Sequence, residues 1–217
     1  MKKLILLILF PILTLAQEVK TEEIEVNSLL KGTLFSTETT IKNSNLVIII
    51  AGSGPTNRNG NQMGMQNNSL KYLAEAIANV GNVAFSYDKR IIAQMKAGNL
   101  DEKSLRFDDL INDAKDIITY FKAQKKYNKI IIVGHSEGSL IGMIAAKDNA
   151  DAYISLAGAG RSADLIIAEQ IEKQAPFLKK ETDENLKILK EGKTFELKNQ
   201  LLASIFRESV QPYMIAW

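Results

Sequence analysis

Apolar residues along this chain follow two rhythms. Four short uninterrupted runs are rich in β-branched or aromatic residues: Leu46-Val47-Ile48-Ile49-Ile50, Val83-Ala84-Phe85, Ile130-Ile131-Ile132-Val133 and Ala152-Tyr153-Ile154-Ser155-Leu156. Continuous rather than alternating runs predict strands covered on both faces of a parallel sheet. Between them the spacing turns helical. Phe107, Leu110, Ile111, Ala114, Ile117, Ile118 and Phe121 fall on one face, with Asp108, Asp109, Asp113 and Lys115 on the others. Residues 69–80 predict a second helix that Gly81 would end, and residues 137–147 a more buried one. Alternating strand and helix predict βαβ units and an α/β sheet. Residues 22–27 and 31–36 read as two leading antiparallel strands.

The rhythm changes after Gly160. Residues 161–210 carry only helical periodicity, with Lys and Glu in quantity and Gly192 as a break. Leu186 and Leu189, then Leu197, Leu201, Ile205 and Phe206, predict stripes on short amphipathic helices. The last seven residues, 211–217, are mainly apolar and predict neither a closing strand nor a closing helix; they read as the start of further core. At the other end, Lys2 and Lys3 precede the apolar residues 4–13 and then Thr14-Leu15-Ala16. A basic start, an apolar stretch too short to span a bilayer and a small-residue site predict a secretory signal peptide over 1–16, cleaved before Gln17. The expectation is therefore an exported protein, periplasmic or extracellular, without a stable membrane anchor. Residues 17–160 form the core of the domain in this reading, and 161–210 a helical lobe.

Composition narrows the partners. With 27 basic against 25 acidic residues the chain has no basic stripe, so nucleic acid is not an expected partner. It has no cysteine, hence no disulfide and no lipidated-cysteine anchor.

Chemistry concentrates in Gly134-His135-Ser136-Glu137-Gly138, a G-x-S-x-G lying between an apolar strand and a helix. That strand–turn–helix setting is what a nucleophile elbow requires: a tight corner that exposes one serine hydroxyl, with glycines where side chains would collide. Ser136 is the expected nucleophile. Ala51-Gly52-Ser53-Gly54-Pro55 follows the first parallel strand, where small residues let the backbone approach a substrate. The N–H groups of Ser53 and Glu137 are the expected oxyanion donors.

Taken together, AGSGPTNRNGN at 51–61, FSYDKR at 85–90, GHSEGS at 134–139 and SLAGAGR at 155–161 resemble the α/β-hydrolases, in particular the serine aminopeptidase and monoacylglycerol-lipase-like branch. The resemblance implies an α/β-hydrolase fold: a mostly parallel sheet flanked by helices, with 161–210 as a cap over the site. It implies a polar loop beside the oxyanion hole at Asn57, Arg58, Asn59 and Asn61, which by composition reads as a solvated loop. Asp88, at a strand end, reads as a structural residue holding the loop that follows it. The resemblance also implies a triad acid and histidine later in the chain than the serine. His135, the sole histidine, precedes Ser136 by one residue and reads as a turn residue rather than the base. Lys147 lies too far down the helix, and Asp151 and Asp164 have no histidine to orient. The expectation is that the triad acid and histidine are not in this chain, which would be the N-terminal part of a longer hydrolase.

The expected function is cleavage of a carboxylic ester or amide in a small molecule through an acyl-enzyme on Ser136, with no metal or organic cofactor. Two alternatives stay open. A serine aminopeptidase would need an acidic patch for the substrate amine, for which Glu169, Glu172, Glu181, Asp183 and Glu184 are candidates. A pseudohydrolase would use the capped pocket for binding alone.

Overall fold

A computed structural model of the protein describes residues 18–40 and 43–217, so the expected leader at 1–16 lies outside the described residues. The chain opens with an antiparallel hairpin, β1 (Val19–Glu25) and β2 (Lys31–Thr37), paired from Val19 opposite Thr37 to Glu25 opposite Lys31. Its turn is tied by the Asn27 side chain, whose Oδ1 accepts from the Leu29 and Leu30 amides at 2.9 and 3.0 Å. There follow β3 (Leu46–Ile50), α1 (Ser69–Asn79), β4 (Val83–Tyr87), α2 (Arg90–Ala97), α3 (Phe107–Gln124), β5 (Ile130–His135), α4 (Glu137–Ala146) and β6 (Ala152–Leu156). The strands form one six-stranded sheet in the order β1-β2-β4-β3-β5-β6. β2 meets β4 antiparallel, and β4, β3, β5 and β6 run parallel. This is the expected α/β architecture with its mostly parallel sheet.

Strand alternation loads both faces of the sheet. Leu46, Ile48 and Ile50 of β3 join Phe85, Ile130 and Ile132 in a core beneath α3 and α4. The intervening Val47 and Ile49 join Phe35, Ala84, Val133 and the buried Leu70, Ala74 and Ala78 of α1 on the other side. Because successive side chains point to opposite faces and both faces are covered, the strand shows no polar positions. The helical stripe of α3 is buried from Phe107 to Phe121. Its start is fixed by the Asp109 carboxylate, which accepts from the Arg106 amide at 2.8 Å.

β6 departs from expectation. It was predicted as a strand covered on both faces, yet Ala152, Ile154 and Ser155 are exposed. Among the described residues it lies at one edge of the sheet, paired only with β5.

Beyond β6 the chain is helical, as the periodicity predicts: α5 (Ala163–Gln174), α6 (Lys179–Lys190), α7 (Ala203–Phe206) and two 3₁₀ turns, Pro176–Leu178 and Gln200–Leu202. Leu178, Leu186, Leu189, Leu202 and Phe206 make a separate apolar core, with Leu197 and Ile205 packed on it. Leu201, predicted to lie on that stripe, is exposed, because the 3₁₀ turn brings Leu202 inward in its place.

The final residues are a second correction. A helix was not expected there, but α8 (Gln211–Ala216) forms, with Pro212 in its first turn, where a missing N–H costs nothing. Gln211 is fully buried and locks the helix in place. Its Oε1 accepts from the Phe195 amide at 2.8 Å, and its Nε2 donates to the Phe195 and Phe206 carbonyls at 3.0 and 2.8 Å. Tyr213 packs edge-on against Phe107 of α3, and Trp217 stacks on the same ring.

Candidate active site

The sheet register gathers the expected site. β3 and β5 are parallel neighbours, and Ile50 pairs with Gly134. The segments that leave these strands, one carrying Ser53 and the other Ser136, therefore emerge side by side at the carboxyl ends of the strands, where open α/β sheets place their ligands.

Ser136 itself is bent. It has φ 53° and ψ −120° at the junction of β5 and α4, a backbone region that L-residues adopt only when their surroundings force it. What forces it is close packing. A Cβ on Gly134 would lie 2.1 Å from the Gly138 carbonyl oxygen, and one on Gly138 would lie 2.4 Å from the Ile50 oxygen. Three hydrogen bonds brace the corner from β5 and β6. The Ser136 amide donates to the Leu156 carbonyl at 2.9 Å, the Ser139 hydroxyl to the Gly134 carbonyl at 2.6 Å, and the Tyr153 hydroxyl to the Ser139 carbonyl at 2.7 Å. Among the described residues the Ser136 hydroxyl has no protein partner, and it is half-buried.

The loop after β3 runs close to this serine. A Cβ at Gly52 would stand 3.2 Å from both the Ser136 Cβ and the His135 Nδ1, a tight contact that a glycine avoids. Ser53 follows. Its carbonyl accepts from the Thr56 hydroxyl at 2.9 Å and from Gln62 Nε2 at 2.8 Å, which fixes the loop's course. Glu137 is the first residue of α4, and amides in a first helical turn have no intrahelical acceptor. A cavity of about 630 Å³ brings these parts together, lined by Ser53, Ser136, Glu137, Arg161, Ile166 and Trp217 among others. One of its walls is α5 of the helical lobe.

His135 is exposed and borders a second cavity, of about 260 Å³, together with Gly52, Ser53 and Ser136. Strict strand alternation would send it away from the serine, but the reversed φ of Ser136 breaks that alternation at the corner. No hydrogen bond joins the two side chains among the described residues.

The loop at 57–61, expected to be solvated, is instead stitched in place. Asn57 Oδ1 accepts from the Asn59 and Asn61 amides at 2.9 and 3.0 Å, and Asn61 Oδ1 from those of Asn67 and Asn68 at 2.9 and 2.8 Å. Arg58 is largely buried and pairs with Asp88 and Glu23. Asp88 holds the loop at 57–61, its Oδ1 accepting from the Arg58 amide at 2.8 Å, and its Oδ2 also lies 3.5 Å from Lys96 Nζ of the following α2. The asparagines were legible as polar; their inward hydrogen bonding was not.

Sequence reasoning also missed a buried ion pair directly beneath the serine. Lys89 Nζ lies 2.7 Å from Glu137 Oε2, with side chains 4% and 2% exposed, and the Tyr213 hydroxyl donates to Glu137 Oε1 at 2.8 Å. Burial first, then the neighbouring Glu137 charge, pushes the Tyr213 phenol far above its ordinary range, so it stays protonated and donates. An acid directly after the serine was visible in the sequence, but its partners are 48 and 76 residues away.

Three of the five acidic residues considered for an amine site are engaged elsewhere. Glu169 pairs with Arg161 and Lys173, and these two cations hold its carboxyl down at about 2. Asp183 pairs with Lys179, and Glu181 accepts from Asn199 Nδ2 at 2.7 Å. None of the five lines the cavity at Ser136. Asp151 is structural, accepting from the Ile130 amide at 2.7 Å, and Asp164 pairs with Lys190. Among the described residues no cluster of acids and imidazole could hold a metal.

Comparison with known proteins adds kinship to this geometry. A family described as serine aminopeptidase, S33, matches residues 63–207. Esterase EstD of Thermotoga maritima is 25% identical over 154 residues, covering 70% of this chain and 36% of that protein. Among solved structures, Est1E from Butyrivibrio proteoclasticus is 18% identical, with a TM-score of 0.48 over 70% of this chain and 54% of its own. Thermogutta terrifontis esterase 2, solved phosphoramylated by tabun, is 16% identical, with a TM-score of 0.48 over 64% and 56%. The chain thus spans about a third of the curated relative and a little over half of each of these structures.

Proposed function

This chain belongs to the serine aminopeptidase S33 family of α/β-hydrolases, and from that premise we propose that it is a serine hydrolase acting on small carboxylic esters through an acyl-enzyme on Ser136. The Ser136 oxygen attacks the ester carbonyl and forms the acyl bond. The alcohol leaves with the proton taken from the serine, and water then releases the acid. The amides of Ser53 and Glu137 stabilise the oxyanion in between. The observation that carries the reading is the strained, half-buried Ser136 on the wall of a cavity of about 630 Å³ that it shares with both amide-bearing residues.

An ester is favoured over a peptide with a free amino terminus. Among the described residues the cavity wall offers no uncommitted carboxylate for an ammonium group: Glu137 is the acid there, and Lys89 and Tyr213 occupy both its oxygens. In this reading the serine's proton acceptor and its orienting acid come from outside these 217 residues, and His135 is not the base. No metal or organic cofactor enters. The enzyme is exported, its leader removed after Ala16; amino-terminal sequencing of the secreted protein, expected to begin at Gln17, tests that part.

The decisive experiment treats the full-length gene product with a fluorophosphonate probe. Ser136 should be labelled, Ser136→Ala should not, and p-nitrophenyl acyl esters should be turned over faster than aminoacyl p-nitroanilides. Equal labelling of both proteins would show that the nucleophile lies elsewhere.

A further inference from the structure

The braces described for the Ser136 corner come from β5 and β6, on one side of the serine. The other side is held by three groups far apart in sequence. Lys89 follows β4, Glu137 opens α4 and Tyr213 sits in α8. Their polar ends converge on one carboxylate, with Lys89 Nζ at 2.7 Å and the Tyr213 hydroxyl at 2.8 Å.

A buried ion pair is an odd choice for stability alone. Desolvating two charges offsets most of their attraction, and apolar residues of the same volume hold a core at least as well. Its directionality is what apolar packing lacks. Glu137 is also the residue whose amide faces the developing oxyanion, so fixing its side chain fixes that amide. Lys89 adds an electrostatic effect. A carboxylate one residue from the serine would oppose the negative oxygen as it forms, and a cation 2.7 Å away offsets that field.

We propose that Lys89 and Tyr213 are positioning residues for the nucleophile corner: through the Glu137 carboxylate they aim the Glu137 amide at the oxyanion and tie it to the seating of α8. This rests on the hydrolase reading above. α8 also bears on the substrate cavity, since Trp217 beside it lines the same wall as Ser136. A shift of α8 is therefore felt at the serine through Tyr213.

The test measures kcat and KM for a p-nitrophenyl ester on the full-length gene product carrying Tyr213→Phe, Lys89→Met, or Lys89→Met with Glu137→Gln. Tyr213→Phe removes one hydroxyl and keeps the ring packing. It should lower kcat about 10-fold with KM within about 2-fold of wild type. Lys89→Met leaves the carboxylate uncompensated and should lower kcat about 100-fold, and neutralising that carboxylate in the double variant should recover much of the loss. If Lys89→Met does not fold, Tyr213→Phe carries the test alone. A folded Tyr213→Phe with wild-type kcat, a loss residing in KM, or a double variant no faster than a folded Lys89→Met overturns the positioning role. A wild type with no Ser136-dependent labelling overturns the hydrolase reading and the positioning role together, which separates the two failures.

Discussion

Gly138→Ala puts the close packing of the corner to a quantitative test. The added methyl would sit 2.4 Å from the Ile50 oxygen, 2.5 Å from the Ala51 oxygen and 2.9 Å from the Ile50 carbonyl carbon. All three are backbone atoms, so no side chain can swing aside. Carbon and oxygen do not approach closer than about 3.0 Å, so the start of α4 must retreat from β3 by at least about 0.6 Å. Forcing a methyl into such packing costs about 1–3 kcal/mol, which corresponds to a fall in Tm of about 2–12 °C for a chain of this size. The retreat also carries the Glu137 amide and Ser136 away from Ser53. Since a misplacement of about 1 Å costs on the order of 100-fold in rate, fluorophosphonate labelling should slow by about 10- to 100-fold. Differential scanning calorimetry and the labelling time course measure the two effects on one preparation. Gly160→Ala is the stability control, because a Cβ there meets nothing within 4 Å. A Gly138→Ala protein with a Tm within about 1 °C of wild type and an unchanged labelling rate would refute the reasoning that this glycine exists for the approach of α4 to β3.

Further outcomes follow from other parts of the structure. Under the proposed mechanism, in which the Ser53 backbone N–H rather than its hydroxyl is the donor, Ser53→Ala should retain labelling while Ser53→Pro loses it; equal loss in both would assign a role to the side chain. His135→Asn should keep most of the esterase rate, and a loss of about 1,000-fold or more would make His135 the base after all. Gln211→Ala removes three hydrogen bonds inside a fully buried site, so it should lower stability by about 1–3 kcal/mol and expose residues 191–199 to limited proteolysis. Hydrogen bonding from Arg207, with a further bond from Ser209, holds the Glu102 carboxyl below its ordinary value of 4.5. A carboxyl depressed in the folded state stabilises above its unfolded value and loses that contribution as pH falls through the folded one. The Tm advantage of wild type over Glu102→Gln should therefore be present at pH 7 and shrink below about pH 4.5; an advantage constant down to pH 3 would contradict the pairing.

What the sequence revealed and what it hid divide along physical lines. β3 and β5 were legible because burial on both faces leaves an unbroken apolar run, and α3 because one face of a long helix must be apolar. The serine corner was legible because the two glycines and the strand before them are local requirements. β6 was misjudged because pairing with β5 selects the same residue types as burial does. α2 went unnoticed: its eight residues bury none of their side chains fully, so no stripe marks it. α8 escaped for a different reason. Its stability comes from Gln211 and Tyr213 meeting residues distant in sequence, and no local pattern encodes that. The same holds for Arg58, expected in a solvated loop, and for Lys89, to which no local pattern points: both are largely buried, each facing an acid contributed by another element.

Neighbouring side chains of α8 belong to different interiors: Tyr213 to the apolar mass under the sheet and Met214 to that of the helical lobe. A single turn of helix thus acts as a rivet through two plates. Heating should not peel the lobe away as a separate event, and a substitution deep in the lobe, remote from any bound molecule, should still register in turnover. Whoever redesigns the lobe to admit a bulkier ligand will have to keep that rivet seated.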